Sequence, residues 1–381
     1  MKTDFRDTFG IEFPIFAFSH CRDVVAAVSR AGGMGVLGAL AFTPEQLEIE
    51  LGWIDEHIDG KPYGVDVVMP ASLAGSDVDK LEAMIPDAHR RWVTELLAKH
   101  NVPPLPEDEP KPEGLLAWTH EKAKRQVDIA LEHPIKLIAN ALGTPPRDVI
   151  DQAHARGVQV AALVGTPRQA QAQVEAGTDI IVAQGTEAGG HTGEIATMVL
   201  IPEVVAAVQP APVLAAGGIG SGRQMAAALA LGASGVWTGS IWLTVREADT
   251  NAVVVDKLLN ATSRDTVRSR SWTGKPARLL KTAWTEAWDG NDSPGALPMP
   301  LQFMLTAEAM SRMNRYADAD TSGARDLVGM PVGQIVGSMN AVRSARDVIY
   351  DIVSEYVETV GELAKDLGLE TPSPRGSAQS A

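Results

Sequence analysis

Cysteine is almost absent from this 381-residue chain, with Cys21 its only example. An intramolecular disulfide and a cysteine-built metal cluster are thereby excluded. Positive charge is also scarce. Lys and Arg number 33 against 48 Asp and Glu, a net charge of −15, and no basic stripe interrupts the acidic surplus. Such a field repels a phosphate backbone, so nucleic acid is not an expected partner. A small anion can still be held in an acidic protein, because helix N-termini and loop amides supply the donors. No uninterrupted apolar run reaches the length of a membrane span, and the opening Met-Lys-Thr-Asp-Phe-Arg-Asp lacks a signal-peptide hydrophobic region. The expectation is a soluble cytoplasmic protein that acts on a small molecule, with no membrane partner.

What the chain does contain is ample apolar material, 45% of residues, with 35 Gly and 24 Pro to punctuate it. That suits one large α/β barrel or two smaller domains. Short apolar runs at 14–18, 35–38, 64–68, 135–139, 158–164, 179–183, 212–216 and 235–238 read as strands. Most are separated by helical patterns, as at 145–156, 168–176, 201–208 and 222–231. Runs this apolar imply burial on both faces, as in a parallel sheet. Eight strand–helix units predict a (β/α)8 TIM barrel over residues 1–245, an open doubly wound sheet being the competing arrangement. Residues 71–133 are too long for a plain connection and read as a helical insertion after the third strand. Two roles stay open for it: a lid on the catalytic face or a solvated decoration. A C-terminal helical extension is expected over 246–369, and its long pattern at 341–367 could pair two subunits as a homodimer. A disordered tail is expected at 370–381.

The sixth run, Asp179-Ile-Ile-Val182, leads into Ala-Gln-Gly-Thr-Glu-Ala-Gly-Gly-His-Thr-Gly at 183–193. A loop at the carboxyl end of a buried parallel strand is where barrels keep their chemistry. His191 is the side chain there best suited to move a proton near neutral pH. Glu187 reads either as a second acid or as an acceptor for loop amides that fixes the turn. The seventh and eighth runs end in Ala-Ala-Gly-Gly-Ile-Gly at 215–220 and Thr-Gly-Ser at 238–240. Barrels often bind phosphate at that pair of loops, through amides and the start of a short helix. Gly217, Gly218, Gly239 and Ser240 are the candidates, against a reading as ordinary tight turns. A flavin mononucleotide and a phosphorylated substrate both fit such a site. Lys136, near the fourth run, is the residue a non-redox sugar-phosphate barrel would use.

These motifs, with Val-Ser-Arg-Ala-Gly-Gly-Met-Gly-Val-Leu-Gly at 28–38, Gly-Lys-Pro-Ala-Arg at 274–278 and Gly-Gln-Ile-Val-Gly at 333–337, resemble the nitronate monooxygenase family, formerly called 2-nitropropane dioxygenases. Flavin-dependent enoyl-acyl-carrier-protein reductases and NAD(P)H:quinone reductases are related to it. The resemblance covers most of the chain except the insertion and tail. It implies a TIM barrel carrying FMN, with Gly217, Gly218, Gly239 and Ser240 on the phosphate. It places Gln184 and Gly185 near the isoalloxazine, and Gln334 approaching from the C-terminal segment. His191 matches the family's catalytic histidine. The implied reaction is oxidation of alkyl nitronates with molecular oxygen. The related reductases imply an alternative, NAD(P)H-dependent reduction of a quinone, an enone or an unsaturated acyl thioester. Two departures stand out. Where many relatives read Ala-Pro-Met after the first strand, this chain reads Ala17-Phe-Ser-His-Cys21, which makes His20 either a polar group at the barrel mouth or an ordinary loop residue. Where many have a flavin-contacting asparagine at the end of the third strand, Asp66 stands. An ionised carboxylate donates no hydrogen bond, so Asp66 is expected to be protonated, paired or turned away.

Overall fold

Eight parallel strands close into a barrel in the computed structural model, which describes residues 4–69, 78–108 and 120–369. In chain order they are β1 (Ile15–Ser19), β2 (Met34–Gly38), β3 (Tyr63–Asp66), β4 (Leu137–Asn140), β5 (Gln159–Val164) and β6 (Ile180–Gln184), then β8 (Val213–Ala216) and β9 (Gly235–Thr238). The two-residue β7 (Gly190–His191) lies outside the barrel. β9 returns to pair with β1, setting Thr238 opposite Ala17, so the barrel itself has no open edge. That closure rules out the doubly wound sheet.

Alternation along the strands sorts side chains into two layers. Phe16, Met34, Val36, Leu137, Ala139, Ile180, Val182, Leu214, Ala216 and Trp237 point inward and fill the barrel. Ile15, Leu37, Val65 and Ile138 point outward and pack beneath the surrounding helices. The amino end is plugged by the helix Asp4–Phe9, whose Phe5 and Phe9 meet Phe16 edge-on at 5.3 and 5.8 Å. The carboxyl end is where the inward positions turn polar or small: Gly38, Asp66 and Gln184 close β2, β3 and β6. Lys136 is exposed and precedes β4, at the plugged end, so it takes no part in that mouth.

The segment at 71–133 is smaller as an insertion than its sequence implies. The helix His120–Ala130 packs on the helix Pro44–His57 and serves as the barrel's own connection into β4. The helices Val78–Ala83 and Asp87–Lys99 are the added part. The second of them, with the segment that follows it, is docked on the C-terminal region. Trp92 lies 4.4 Å from Trp288, and Arg312 donates to the carbonyls of Val102 and Pro103 at 2.7 and 2.8 Å. Trp284 and Trp288 are core residues of that contact. The C-terminal region is not purely helical either. β10 (Thr266–Ser269) and β11 (Ala277–Leu280) form a hairpin that adds β7 as its third strand. The tail at 370–381 lies outside the described residues.

The long helix Ala345–Asp366 crosses the helix Gly222–Ala230 at very short range. A Cβ on Gly222 would stand 2.1 Å from Tyr356 N and 2.3 Å from Ile352 O, both fixed helix backbone. Gly222→Ala is therefore expected to push the long helix off and to cost about 3 kcal/mol, the upper end of overpacking penalties. Urea unfolding checks this, and an unchanged midpoint would mean that the helix contact is looser than it stands here.

Candidate functional site

The glycine-rich loop after β6 is held at both ends before it reaches His191. Gly185 N donates to Ala216 O at 2.9 Å, continuing the β6–β8 ladder by one residue. Glu187 then turns back under the loop. Its carboxylate accepts from Thr197 N at 3.0 and 3.2 Å and from Thr197 Oγ1 at 2.9 Å. Thr197 opens the helix Thr197–Val208, so Glu187 also faces the positive end of that helix. This settles Glu187 as a loop anchor. Two arginines grip the far side: Arg278 Nε donates to Thr186 O at 2.9 Å and Arg268 Nη2 to Thr192 O at 3.3 Å.

His191 is therefore delivered by a ladder, not by a free loop. It pairs with Ala277 across β7 and β11. Its Nε2 lies 2.7 Å from Thr273 Oγ1, and Thr273 is itself buried. No hydrogen bond to Nδ1 occurs among the described residues, which leaves that nitrogen for a ligand. The residue keeps open surface, yet dense surrounding protein and the Lys275 charge push the imidazole pKa down to about 4. His191 is then neutral across the physiological range and can accept a proton or donate one hydrogen bond.

The loops after β8 and β9 lie side by side, since Ala216 pairs with Trp237. Gly217 and Gly218 turn in the left-handed region, with φ of 100° and 69°. A Cβ on Gly217 would meet Gly185 O and Thr197 Oγ1 at 3.0 Å. Gly239 instead opens onto space, with only Phe18 Cδ1 at 4.0 Å from the position of a Cβ. The amides of Gly217, Gly218, Gly239 and Ser240 have no acceptor among the described residues. Four free amides on two adjoining loops make a cradle for an anion. Ser240 Oγ accepts from Gly333 N at 2.8 Å, which ties the C-terminal segment across the cradle and leaves the hydroxyl proton free. Gln334 N donates to Glu187 O at 2.9 Å, so the same segment is stitched to the His191 loop. The Gln334 side chain is half-buried and makes no hydrogen bond among the described residues.

Asp66 completes the mouth. It is 4% exposed, it follows Gly64 on the inward face of β3, and its Oδ1 has no partner among the described residues. Burial pushes the carboxyl pKa up to about 7, with the Ala141 amide pulling the other way. Beside it, His20 stays exposed at the rim with Nδ1 2.9 Å from Gly38 O and its ring edge-on to Phe18. The structure thus gathers the sequence candidates Asp66, Gln184, Gly185, His191, Gly217, Gly218, Gly239, Ser240 and Gln334 around the carboxyl end of one barrel. A flavin phosphate finds free amides here, Gly239 leaves room beside them, and an orphaned buried oxygen waits at the floor: the residues fit FMN. Thr197 and Thr273 carry no sequence signal of their own comparable to the glycine loops. Thr273 directly precedes the Gly274–Arg278 motif, the one local hint of its place.

Comparison with known proteins agrees with this geometry. The nitronate monooxygenase family model matches residues 2–355. A Mycobacterium tuberculosis protein provisionally assigned as a monooxygenase is 55% identical over 369 residues, 95% of this chain and 98% of its own. A Staphylococcus aureus probable nitronate monooxygenase is 30% identical over 85% of this chain and 89% of its own. Among solved structures, nitroalkane oxidase from Streptomyces ansochromogenes superposes with a TM-score of 0.76 at 25% identity, over 94% of this chain and 99% of that one. FabK from Thermotoga maritima superposes with a TM-score of 0.71 at 27% identity, over 96% and 99%. With a closed eight-stranded barrel, a histidine held beyond its sixth strand by the β7–β11 pairing and paired glycine loops beside it, the chain belongs to the nitronate monooxygenase family of flavin-dependent oxidoreductases.

Proposed function

We propose that this protein oxidises alkyl nitronates with molecular oxygen on bound FMN. The observation that carries the reading is His191, held rigidly at the mouth with its ring neutral and Nδ1 unbonded. Bound FMN supplies the electron acceptance that the protein side chains lack. The amides of Gly217, Gly218, Gly239 and Ser240 would hold its phosphate. Gln184 and Gly185 would lie along the ring, with Gln334 closing from the C-terminal segment. His191 has two tasks open to it, and both use Nδ1. With its proton on Nδ1 it donates a hydrogen bond to a nitronate oxygen and orients the anion. With its proton on Nε2, given to Thr273 Oγ1, it takes a proton from the carbon of a neutral nitroalkane. Thr273 serves both states, since a hydroxyl can donate or accept.

A second reading, reduction of a quinone, an enone or an unsaturated acyl thioester by NAD(P)H, draws support from the likeness to FabK. In that case His191 would donate to the acceptor's carbonyl oxygen. Anaerobic titration of the FMN-loaded protein separates the two. Propyl nitronate, NADH and NADPH are added separately, and flavin absorbance is followed. Bleaching by nitronate, with no response to either nicotinamide, is expected. Rapid bleaching by NADH or NADPH instead would overturn nitronate oxidation and move the search to the acceptor.

A further inference from the structure

Asp66 has three ways to exist beside a flavin, and the structure removes two of them. Among the described residues it is not paired: no cation lies on its carboxyl, and Oδ1 has no hydrogen bond. It is not turned away, because it sits on the inward face of β3 at 4% exposure. Its neighbours in register are Gly38 on β2 and Ala139 on β4, neither of which can answer a charge. The loop after β4 is fixed by Asn140, which donates to Leu142 O and Gly143 O, and it offers Asp66 a single amide, that of Ala141. From β1 and its loop come Phe18 and His20. The His20 ring is bound to Gly38 O at the rim, and the protein packed around it lowers its pKa, which disfavours a positive charge there. Asp249 acts on His20 and not on Asp66, and Gln184 at the end of β6 is uncharged. Among the described residues no charged group compensates an ionised Asp66.

We infer that Asp66 serves this enzyme as a neutral carboxylic acid, donating through its unpartnered oxygen to a hydrogen-bond acceptor on the flavin ring. The inference rests on the reading that this mouth holds FMN. The third state is the one that remains: an isolated buried carboxylate is far costlier than its protonated form. A protonated acid offers what an amide offers at the same place, one donor and one acceptor. It also adds no negative charge beside a ring that must take up electrons. Burial holds the carboxyl of the flavin-free protein at a pKa of about 7. A ligand that accepts Asp66's proton in a hydrogen bond binds only the protonated form. Its affinity must therefore fall as pH rises above that pKa, by about tenfold per unit.

Two measurements test this, one without flavin. In flavin-free protein below pH 6, infrared difference spectra of wild type against Asp66→Asn should show the C=O stretch of a protonated buried carboxyl, lost in the variant. No such band would overturn the inference whether or not FMN binds. FMN affinity is then measured by fluorescence quenching from pH 7 to 9, where the ligand's phosphate, with a second pKa of about 6, no longer titrates. Wild type should weaken about tenfold per unit in the upper part of that range while Asp66→Asn stays flat. A wild-type affinity that is flat or rises with pH would overturn the inference, since a ring N–H donating to the carboxylate gives the opposite slope. Failure of both proteins to bind FMN at any pH would instead refute the assigned cofactor and leave the infrared result standing alone.

Discussion

Replacing His191 with alanine is expected to lower turnover by about two orders of magnitude or more and to leave FMN bound. The two effects separate because the residue's backbone and side chain have different jobs. Its backbone belongs to the β7–β11 ladder, opposite Ala277, and alanine keeps that pairing. The loop stays clamped through Glu187 on Thr197 and through Arg278 on Thr186. Only the imidazole and its contact with Thr273 disappear. The pH dependence follows from the lowered pKa. The ring is neutral above about 4 and charged below it, so kcat/KM governed by neutral His191 should be level from pH 6 to 8 and fall as pH drops toward 4. A ring with an ordinary pKa of about 6.5 would place that limb inside the physiological range instead. Steady-state kinetics against pH, with flavin content measured on the same samples, checks both claims. Turnover unchanged in the alanine variant would remove His191 from the reaction. Loss of flavin with loss of turnover would make it a structural residue.

The barrel was legible because parallel strands buried on both faces print as unbroken apolar runs. The run at 212–216 became β8 at Val213–Ala216, and that at 235–238 became β9 without change. His191 and the paired glycine loops were legible for a related reason: strand ends mark where barrels place chemistry, and the loops follow the strands directly. What escaped lies in contacts between distant segments. Thr273 meets His191 from 82 residues away, and Arg312 meets Val102 from 210. No periodicity encodes either. The docking of the helix Asp87–Lys99 is one such case: its apolar side suited several partners, and Trp288 is decided only by the folded C-terminal region. Asp66 is another. The sequence shows a carboxylate where an amide is usual, but whether it is paired depends on Gly38, Ala139 and Ala141, none of them its neighbours in the chain.

Gly185→Ala and Gly239→Ala are expected to lose FMN for opposite reasons, and the contrast locates the ligand. At Gly185 the obstacle is the protein. A Cβ there would stand 2.1 Å from Thr197 Oγ1 and 2.5 Å from Thr197 N, inside the contact that ties the β6 loop to the helix Thr197–Val208. The methyl group must displace either the loop or the helix start, breaking the Glu187–Thr197 bonds that hold the loop in place. Stability should fall by about 1–3 kcal/mol, and FMN should be lost because Gln184 and the His191 loop move together. At Gly239 the protein offers no obstacle, since nothing lies closer than Phe18 Cδ1 at 4.0 Å. Its φ of −133° is also outside the left-handed region that favours glycine. Gly239→Ala should keep its urea midpoint within about 1 kcal/mol of wild type, as surface changes usually do. Any loss of FMN affinity in that variant must then come from the ligand meeting the methyl group. Flavin stoichiometry and urea unfolding on both variants give the result. Full FMN affinity in Gly239→Ala would move the phosphate away from the β9 loop and leave Gly217 and Gly218 to hold it alone.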